Sequence, residues 1–169
     1  MTNPDIEYTH EDVLYVLEQF PWKDSIVINY SVISTFAHRF FVGRKHGVLS
    51  RYTPRARRKY SYLDLLAWVV WFCCRDFGMT TTEATAALRG FPNNEEAARN
   101  SSLLIELIED EGMRTIVHRY EETGAGLYLA GSCFDSSGLT DRKNMIATCL
   151  IDLSTISDKV NGAIRYSEK

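Results

Sequence analysis

Apolar residues recur at helical spacing near the start of the chain and predict a first helix over residues 9–20. Val13 and Leu17 fall on one side of this helix. Thr9 and Asp12 have the spacing of a capping box, in which each side chain accepts a hydrogen bond from the other residue's backbone N–H. The pattern therefore predicts a helix that begins after Thr9 and buries one face.

A second amphipathic helix is predicted over residues 31–46, with Ser31 as its N-cap and Gly47 just beyond its end. Its apolar positions include Val32, Phe36 and Phe40. Its opposite, polar positions are Ser34, Thr35, His38 and Arg39. Residues 48–62 then lack a helical period and contain Pro54, and their alternating basic and aromatic residues predict a loop or a short β-ribbon.

The most apolar part of the chain predicts a helix over residues 62–77, capped by Ser61. Its apolar residues cover all sides, which is typical of a helix at the centre of a core. The residues expected to be buried are Leu66, Val70, Cys73 and Phe77, with Trp68 or Trp71 at least partly buried. A second capping box, Thr80 with Glu83, starts another helix that ends at Gly90.

The next part of the chain carries mixed signals. Asn93 or Asn94 is a candidate N-cap for a helix that extends to about Asp110, and Gly112 interrupts the pattern there. Residues 113–120 fit a helix or a strand equally well. We therefore predict one acidic helix, followed by an element whose type the pattern leaves open.

The C-terminal part predicts strands over residues 127–134 and 145–153, joined by a polar loop. Ser154 is the candidate cap of a last helix, whose apolar positions are Ile156, Val160, Ala163 and Ile164. The chain is therefore predicted to be an α+β protein. Two domains are predicted. The first, residues 1–92, contains helices and a basic segment, and the second, residues 93–169, contains one helix followed by a strand–strand–helix unit.

Length and composition are typical of a folded chain: 169 residues, of which 45% are hydrophobic and 24% charged. The longest apolar run, residues 65–74, is about half of a membrane span. Residues 1–20 lack the cationic start and apolar centre of a signal peptide. We therefore expect a cytoplasmic protein that does not bind a membrane.

Neither a metal, nor a cofactor, nor catalysis is expected from the motifs. The four cysteines, at positions 73, 74, 133 and 149, include no C-x-x-C pair, and the four histidines have no metal-ligand spacing. Buried thiols are the simplest interpretation. The sequence also contains no Ser-His-Asp framework, phosphate-binding loop or glycine fingerprint, so we do not expect an enzyme.

Charge is strongly segregated along the chain. No Asp or Glu occurs between residues 25 and 63. The same stretch holds eight basic residues: Arg39, Arg44, Lys45, Arg51, Arg55, Arg57, Arg58 and Lys59. Since the whole chain carries a net charge of −3, the remainder must carry −11. Such asymmetry indicates a polyanionic partner for the basic stretch, and the alternative is a solvated basic loop without a ligand.

Residues 57–66, Arg-Arg-Lys-Tyr-Ser-Tyr-Leu-Asp-Leu-Leu, resemble the junction between wing and helix in the MerR superfamily of winged helix-turn-helix regulators. Residues 75–80, Arg-Asp-Phe-Gly-Met-Thr, are similar to that family's next junction, in which a glycine, an apolar residue and a Ser or Thr begin the following helix. Residues 44–49 resemble the end of the family's recognition helix. The match covers residues 38–91, and the link over residues 21–30 is longer than in the family.

The resemblance implies a sequence-specific regulator that acts as a homodimer on pseudo-palindromic double-stranded DNA. The helix over residues 31–46 would contact base edges in the major groove, and the basic segment after it would contact phosphates. The residues assigned to DNA are Ser34, Thr35, His38, Arg39, Arg44, Lys45, Arg51, Arg55, Arg57, Arg58, Lys59 and Tyr60. The alternative is a protein–protein interaction module on a winged helix, such as an antitoxin or a phage-type antagonist.

Overall fold

The computed structural model describes residues 7–43, 59–122 and 145–167. The helices are α1 (His10–Glu18), α2 (Tyr30–Gly43), α3 (Tyr62–Asp76), α4 (Thr81–Ala87), α5 (Glu95–Arg99) and α6 (Leu153–Ser167), with a 3₁₀ turn at Leu88–Gly90. The strands are β1 (Ser101–Asp110), β2 (Met113–Glu122) and β3 (Met145–Asp152). The prediction of an α+β protein is confirmed. The strand predicted at residues 127–134 and the polar loop after it lie outside the described residues.

Capping boxes begin three of the helices. Thr9 starts α1, Ser61 starts α3 and Thr80 starts α4, and in each case the reciprocal hydrogen bonds with the residue three positions later are formed. At α3 the fully buried carboxylate of Asp64 accepts hydrogen bonds from the Ser61 backbone N–H at 2.9 Å and from its hydroxyl at 2.8 Å. All three predicted helix starts are therefore confirmed.

Two other helix starts were predicted at the wrong residue. Helix α2 begins at Tyr30, because the side chain of Asn29 accepts a hydrogen bond from the Val32 N–H at 2.9 Å. Ser31 therefore lies inside the helix. Similarly, α6 begins one residue before Ser154, because the carboxylate of Asp152 accepts a hydrogen bond from the Ser154 N–H at 3.0 Å. In both places an Asx residue two positions earlier provides the cap.

Helix α3 is the centre of the core, as its all-round apolar sequence predicts. Leu66, Val70 and Trp68 have no exposed surface, and Trp71 is 2% exposed. Cys73 is only partly buried. Phe77 is 40% exposed, so its predicted burial is wrong. The reason is that α3 ends at Asp76, and Gly78 turns the chain away with a φ of 103°.

The helix predicted up to Asp110 is wrong over most of its length. Helix α5 stops at Arg99, and residues 101–110 are β1. Leu103 and Leu104 are both almost fully buried although they point to opposite faces of the sheet, so both faces of β1 are covered at these residues. A strand covered on both faces is apolar at successive positions. Residues 113–120, whose pattern fits a helix or a strand, lie in strand β2.

The described strands form an antiparallel sheet in the order β2–β1–β3. Glu111 and Gly112 make the turn between β1 and β2, with φ values of 48° and 80°. Two consecutive residues with positive φ are typical of a type I′ hairpin turn. Glycine at the second position fits this conformation without strain, whereas Glu111 has a side chain in the left-handed region.

One buried cluster joins the helices to the sheet. It contains residues from both predicted domains, among them Leu17 and Leu66 from the first and Ile105 and Val160 from the second. Helix α6 packs against α1, α3, α5 and β1. A buried hydrogen-bond contact of 2.8 Å between the Tyr62 hydroxyl and Ser157 Oγ fixes α6 on α3. Within the described ranges, no helix has both the length and the apolar character needed to cross a membrane.

Candidate nucleic-acid interface

Helix α2 presents a polar face to solvent and an apolar face to the core. Ile33 is fully buried, and the Phe36 ring lies 5.3 Å from the ring of Trp71 on α3. Ser34 and Thr35 are exposed on the other side. The predicted orientation of this part of α2 is therefore confirmed, because the two predicted contact residues point away from the core.

His38 and Arg39 lie in the next part of α2, but their side chains are outside the described part of the structure. The backbone of α2 continues through both positions to Gly43. The basic segment, residues 44–59, follows directly, and the structure does not describe its residues 44–58. Six of the cations assigned to DNA lie there: Arg44, Lys45, Arg51, Arg55, Arg57 and Arg58. Their assignment to DNA stays a prediction.

The link between α1 and α2 is held down at the end of α3. The indole N–H of Trp22 donates a hydrogen bond to the Leu17 carbonyl at 2.7 Å, and its ring centroid lies 5.8 Å from that of Phe72. The Lys23 ammonium donates to the Asp76 carbonyl at 2.6 Å, and the Lys23 backbone N–H donates to the Asp76 carboxylate at 3.1 Å. The first part of the long connection, at Trp22 and Lys23, is therefore attached to α3.

Lys59 lies at the end of the basic segment. Among the cations assigned to DNA, it is the one whose side chain the structure describes. Its side chain is 58% exposed, and its ammonium forms an ion pair with the carboxylate of Glu7, itself 40% exposed. An exposed ammonium of this kind can reach a phosphate oxygen. The position of Lys59 is thus compatible with its predicted role, although a carboxylate already contacts it.

The structure places Tyr60 differently from the sequence-based expectation. Its side chain is 1% exposed, and its hydroxyl lies 3.4 Å from Nε2 of His10 in the interior. A phenol in this position cannot reach a phosphate, so the assignment of Tyr60 as a direct DNA contact is corrected. The sequence does contain the relevant signal: Tyr60 directly precedes the N-cap Ser61, where apolar side chains commonly pack back against the first turns of the helix.

His10 is a structurally important residue that the sequence analysis missed. Its ring centroid lies 5.1 Å from that of Tyr30 and 5.3 Å from that of Tyr60. It therefore contacts both the first residue of α2 and the residue that ends the basic segment. No local pattern pairs position 10 with positions 30 and 60, because these contacts are set by tertiary packing alone.

Tyr8 completes this junction through the backbone. Tyr8 and Tyr60 form an isolated antiparallel bridge in which each N–H donates to the other's carbonyl at 2.8 Å. Both side chains are buried. The end of the basic segment is therefore fixed to the start of α1, just as the start of α2 is fixed through His10.

The outer face of the sheet, the one that points away from the core, carries a small acidic cluster. Arg119 on β2 donates to the carboxylate of Glu106 on β1 at 3.0 Å and also pairs with Glu121. These groups sit on the sheet face that carries Leu104, away from Ile105 and the core. The arginine is thus neutralised by two carboxylates, which leaves this small cluster with net negative charge.

The described cysteines are poorly suited to chemistry. Burial, and secondarily the neighbouring Cys149, raise the pKa of the Cys73 thiol to about 12. Burial raises the pKa of Cys74 as well. Since the thiolate is the nucleophile and the metal ligand, these thiols are unreactive near neutral pH. Across residues 7–43, 59–122 and 145–167, no group of three or more His, Cys, Asp or Glu side chains is arranged to hold a metal ion.

No protein-family model and no curated protein sequence matches this chain. What the protein binds must therefore be inferred from its own residues. The structure joins the first residue of α2, Tyr30, to the buried Tyr60 through His10, and the exposed Lys59 is the residue directly before Tyr60.

Proposed function

We propose that this chain is a sequence-specific double-stranded DNA-binding transcription regulator of the MerR-like winged helix-turn-helix type, which acts as a homodimer. The observation that carries the proposal is the placement of α2. Its exposed Ser34 and Thr35 belong to a stretch, residues 25–63, that contains eight basic residues and no carboxylate. A helix with this face can approach a polyanion without charge repulsion from its own flanking residues.

The two parts of the stretch would have different tasks. An α-helix fits the major groove of B-DNA, which is about 12 Å wide, and Ser and Thr hydroxyls hydrogen-bond to several base edges. Arg39 lies in the same helix, and arginine side chains bind guanine through two hydrogen bonds. The cations from Arg44 to Lys59 would contact phosphates, which position the protein without selecting the sequence.

The order of the described elements supports the family resemblance. Two helices, α1 and α2, precede the basic segment, and two more, α3 and α4, follow it at the residues where the resemblance places helix starts. The anchoring of Lys59 and Tyr60 to α1 through the Tyr8 bridge would hold one end of the segment in place as a wing requires.

The rest of the molecule would face away from the DNA. The outer sheet face carries the cluster of Glu106, Arg119 and Glu121, with net negative charge, and the whole remainder of the chain carries −11. We propose that the homodimer forms through residues 93–169, the part of the chain that carries the sheet. A homodimer would place two copies of α2 on half-sites related by two-fold symmetry.

The salt dependence of binding to mixed-sequence duplex DNA tests the proposal at low cost. We expect the affinity, followed by fluorescence anisotropy, to fall steeply between about 50 and about 200 mM salt, because each phosphate contact releases counterions. Lys59→Gln should weaken binding to every sequence by a similar factor and lower the slope by about one.

The matched control is Arg89→Gln, which makes the same charge change at an exposed residue of the 3₁₀ turn, outside the basic stretch. We expect its affinity and its salt slope to equal those of the unmodified chain. Weak binding without a salt slope, or equal losses in both variants, would contradict the proposal. The first of these results would instead favour the protein–protein interaction module.

A further inference from the structure

The pairing of residues 8 and 60 sets the direction of their neighbours. Side chains alternate from one face of an extended segment to the other. The Tyr8 and Tyr60 side chains point into the core, with 7% and 1% exposure. The adjacent residues Glu7 and Lys59 therefore point outward on the same side, where their ion pair forms. Two buried tyrosines and two backbone hydrogen bonds of 2.8 Å thus hold a carboxylate beside this lysine.

We propose that Glu7 acts as an intramolecular competitor for DNA: its carboxylate occupies Lys59 in the free protein, and a phosphate oxygen replaces it when DNA binds. The inference rests on the proposed function, because it concerns the same basic segment. A carboxylate and a phosphate oxygen are both anionic hydrogen-bond acceptors for an ammonium, so the two compete for the N–H donors of Lys59.

The exchange lowers affinity for any duplex, independent of sequence. Binding of a phosphate by Lys59 must break its ion pair with Glu7. Because both partners are substantially exposed, water screens the pair and its contribution is small. Removing the carboxylate should therefore tighten nonspecific binding by about two- to five-fold at low salt. The gain should shrink as salt rises, because the interaction is ionic.

The test is a double-mutant cycle on the full chain with a mixed-sequence duplex of about 30 base pairs, long enough for two half-sites. The variants are Glu7→Gln, Lys59→Gln and the double variant, with affinity measured by anisotropy at about 50 mM salt. Glu11→Gln is the matched control, because Glu11 is also exposed and lies four residues further along the chain, in the first turn of α1. It changes the net charge by the same amount as Glu7→Gln.

We expect Glu7→Gln to bind more tightly than the unmodified chain and than Glu11→Gln, and we expect this gain to disappear in the Lys59→Gln background. Equal affinities of the Glu7→Gln and Glu11→Gln variants overturn the inference while leaving DNA binding intact. A gain that persists without Lys59 overturns it as well. Absence of binding by every variant, including the unmodified chain, overturns the inference together with the proposed function.

Discussion

Substitutions of Tyr60 separate a packing role from a role in phosphate binding. The side chain is 1% exposed, its ring centroid lies 6.2 Å from that of Trp68, and its hydroxyl has a 3.4 Å contact with His10. Tyr60→Ala removes the ring from this packed site. Replacing a buried aromatic side chain by alanine costs about 3–5 kcal/mol of unfolding free energy, and we expect a loss in that range.

Tyr60→Phe keeps the ring and removes only the hydroxyl. Since 3.4 Å is long for a hydrogen bond that involves a hydroxyl, the loss should be below about 1 kcal/mol. If the hydroxyl has no part in binding DNA, the affinity of Tyr60→Phe for a mixed-sequence duplex should equal that of the unmodified chain within about two-fold.

Urea denaturation followed by tryptophan fluorescence gives the two free energies, and anisotropy gives the affinity. A loss below about 1 kcal/mol for Tyr60→Ala would show that the residue is not a core residue. A Tyr60→Phe variant of unchanged stability whose DNA affinity falls by about ten-fold would show that the hydroxyl contacts a phosphate, which would contradict its position in the core.

Three further predictions concern stability. Glu111→Asn should raise the unfolding free energy by about 0.5–1 kcal/mol, because Asn adopts the left-handed conformation of a type I′ turn more readily; an unchanged or lower value in urea melts would contradict this. Asn29→Ala should lower the stability by about 1 kcal/mol through loss of the α2 cap, whereas Ser31→Ala should stay within about 0.5 kcal/mol, and the reverse order would restore Ser31 as the cap. The raised pKa of Cys73, about 12, favours the neutral thiol in the folded state. The stabilisation that the raised pKa of Cys73 gives the folded chain is therefore complete below about pH 9 and is lost as pH rises toward 12. Between about pH 8 and about pH 10.5, the unfolding free energy of the unmodified chain should fall by about 2 kcal/mol more than that of a Cys73→Ala variant. Equal losses would show that the thiol ionises normally.

Local signals in the sequence were sufficient where the interaction itself is local. The three capping boxes join residues three positions apart, so Thr9, Ser61 and Thr80 could be identified before the structure. The central position of α3 followed from its all-round apolar composition, and Trp68 and Trp71 are buried accordingly. At α2 the sequence predicts Ser31 as the cap, whereas Asn29, two positions earlier, caps the helix in the structure.

The strand β1 was mistaken for a helix because Leu103, Leu104, Leu107 and Ile108 happen to have helical spacing. What makes these residues a strand is pairing with β2 on one side and with β3 on the other. β3 starts well over thirty positions later in the chain, so no window of local sequence contains this information. Tertiary context overrides local propensity in such a central strand.

The candidate interface also combines features that local sequence predicts with features that depend on long-range contacts. The outward direction of Ser34 and Thr35 could be predicted, because it depends only on helical periodicity. The junction of Tyr8, His10 and Tyr60 could not, because it joins residues about fifty positions apart. These long-range contacts fix one end of the basic segment, and they are visible only in the folded structure.

Selection of bound sequences from a random duplex pool is the most direct test of the central claim. The unmodified chain is incubated with the pool at about 100 mM salt, and bound duplexes are amplified and sequenced over several rounds. A homodimeric reader of the major groove should enrich an inverted repeat whose half-sites lie about one helical turn apart, or a multiple of it. A pool that stays random after several rounds, from a chain that is folded and concentrated enough to bind, would contradict sequence-specific DNA recognition.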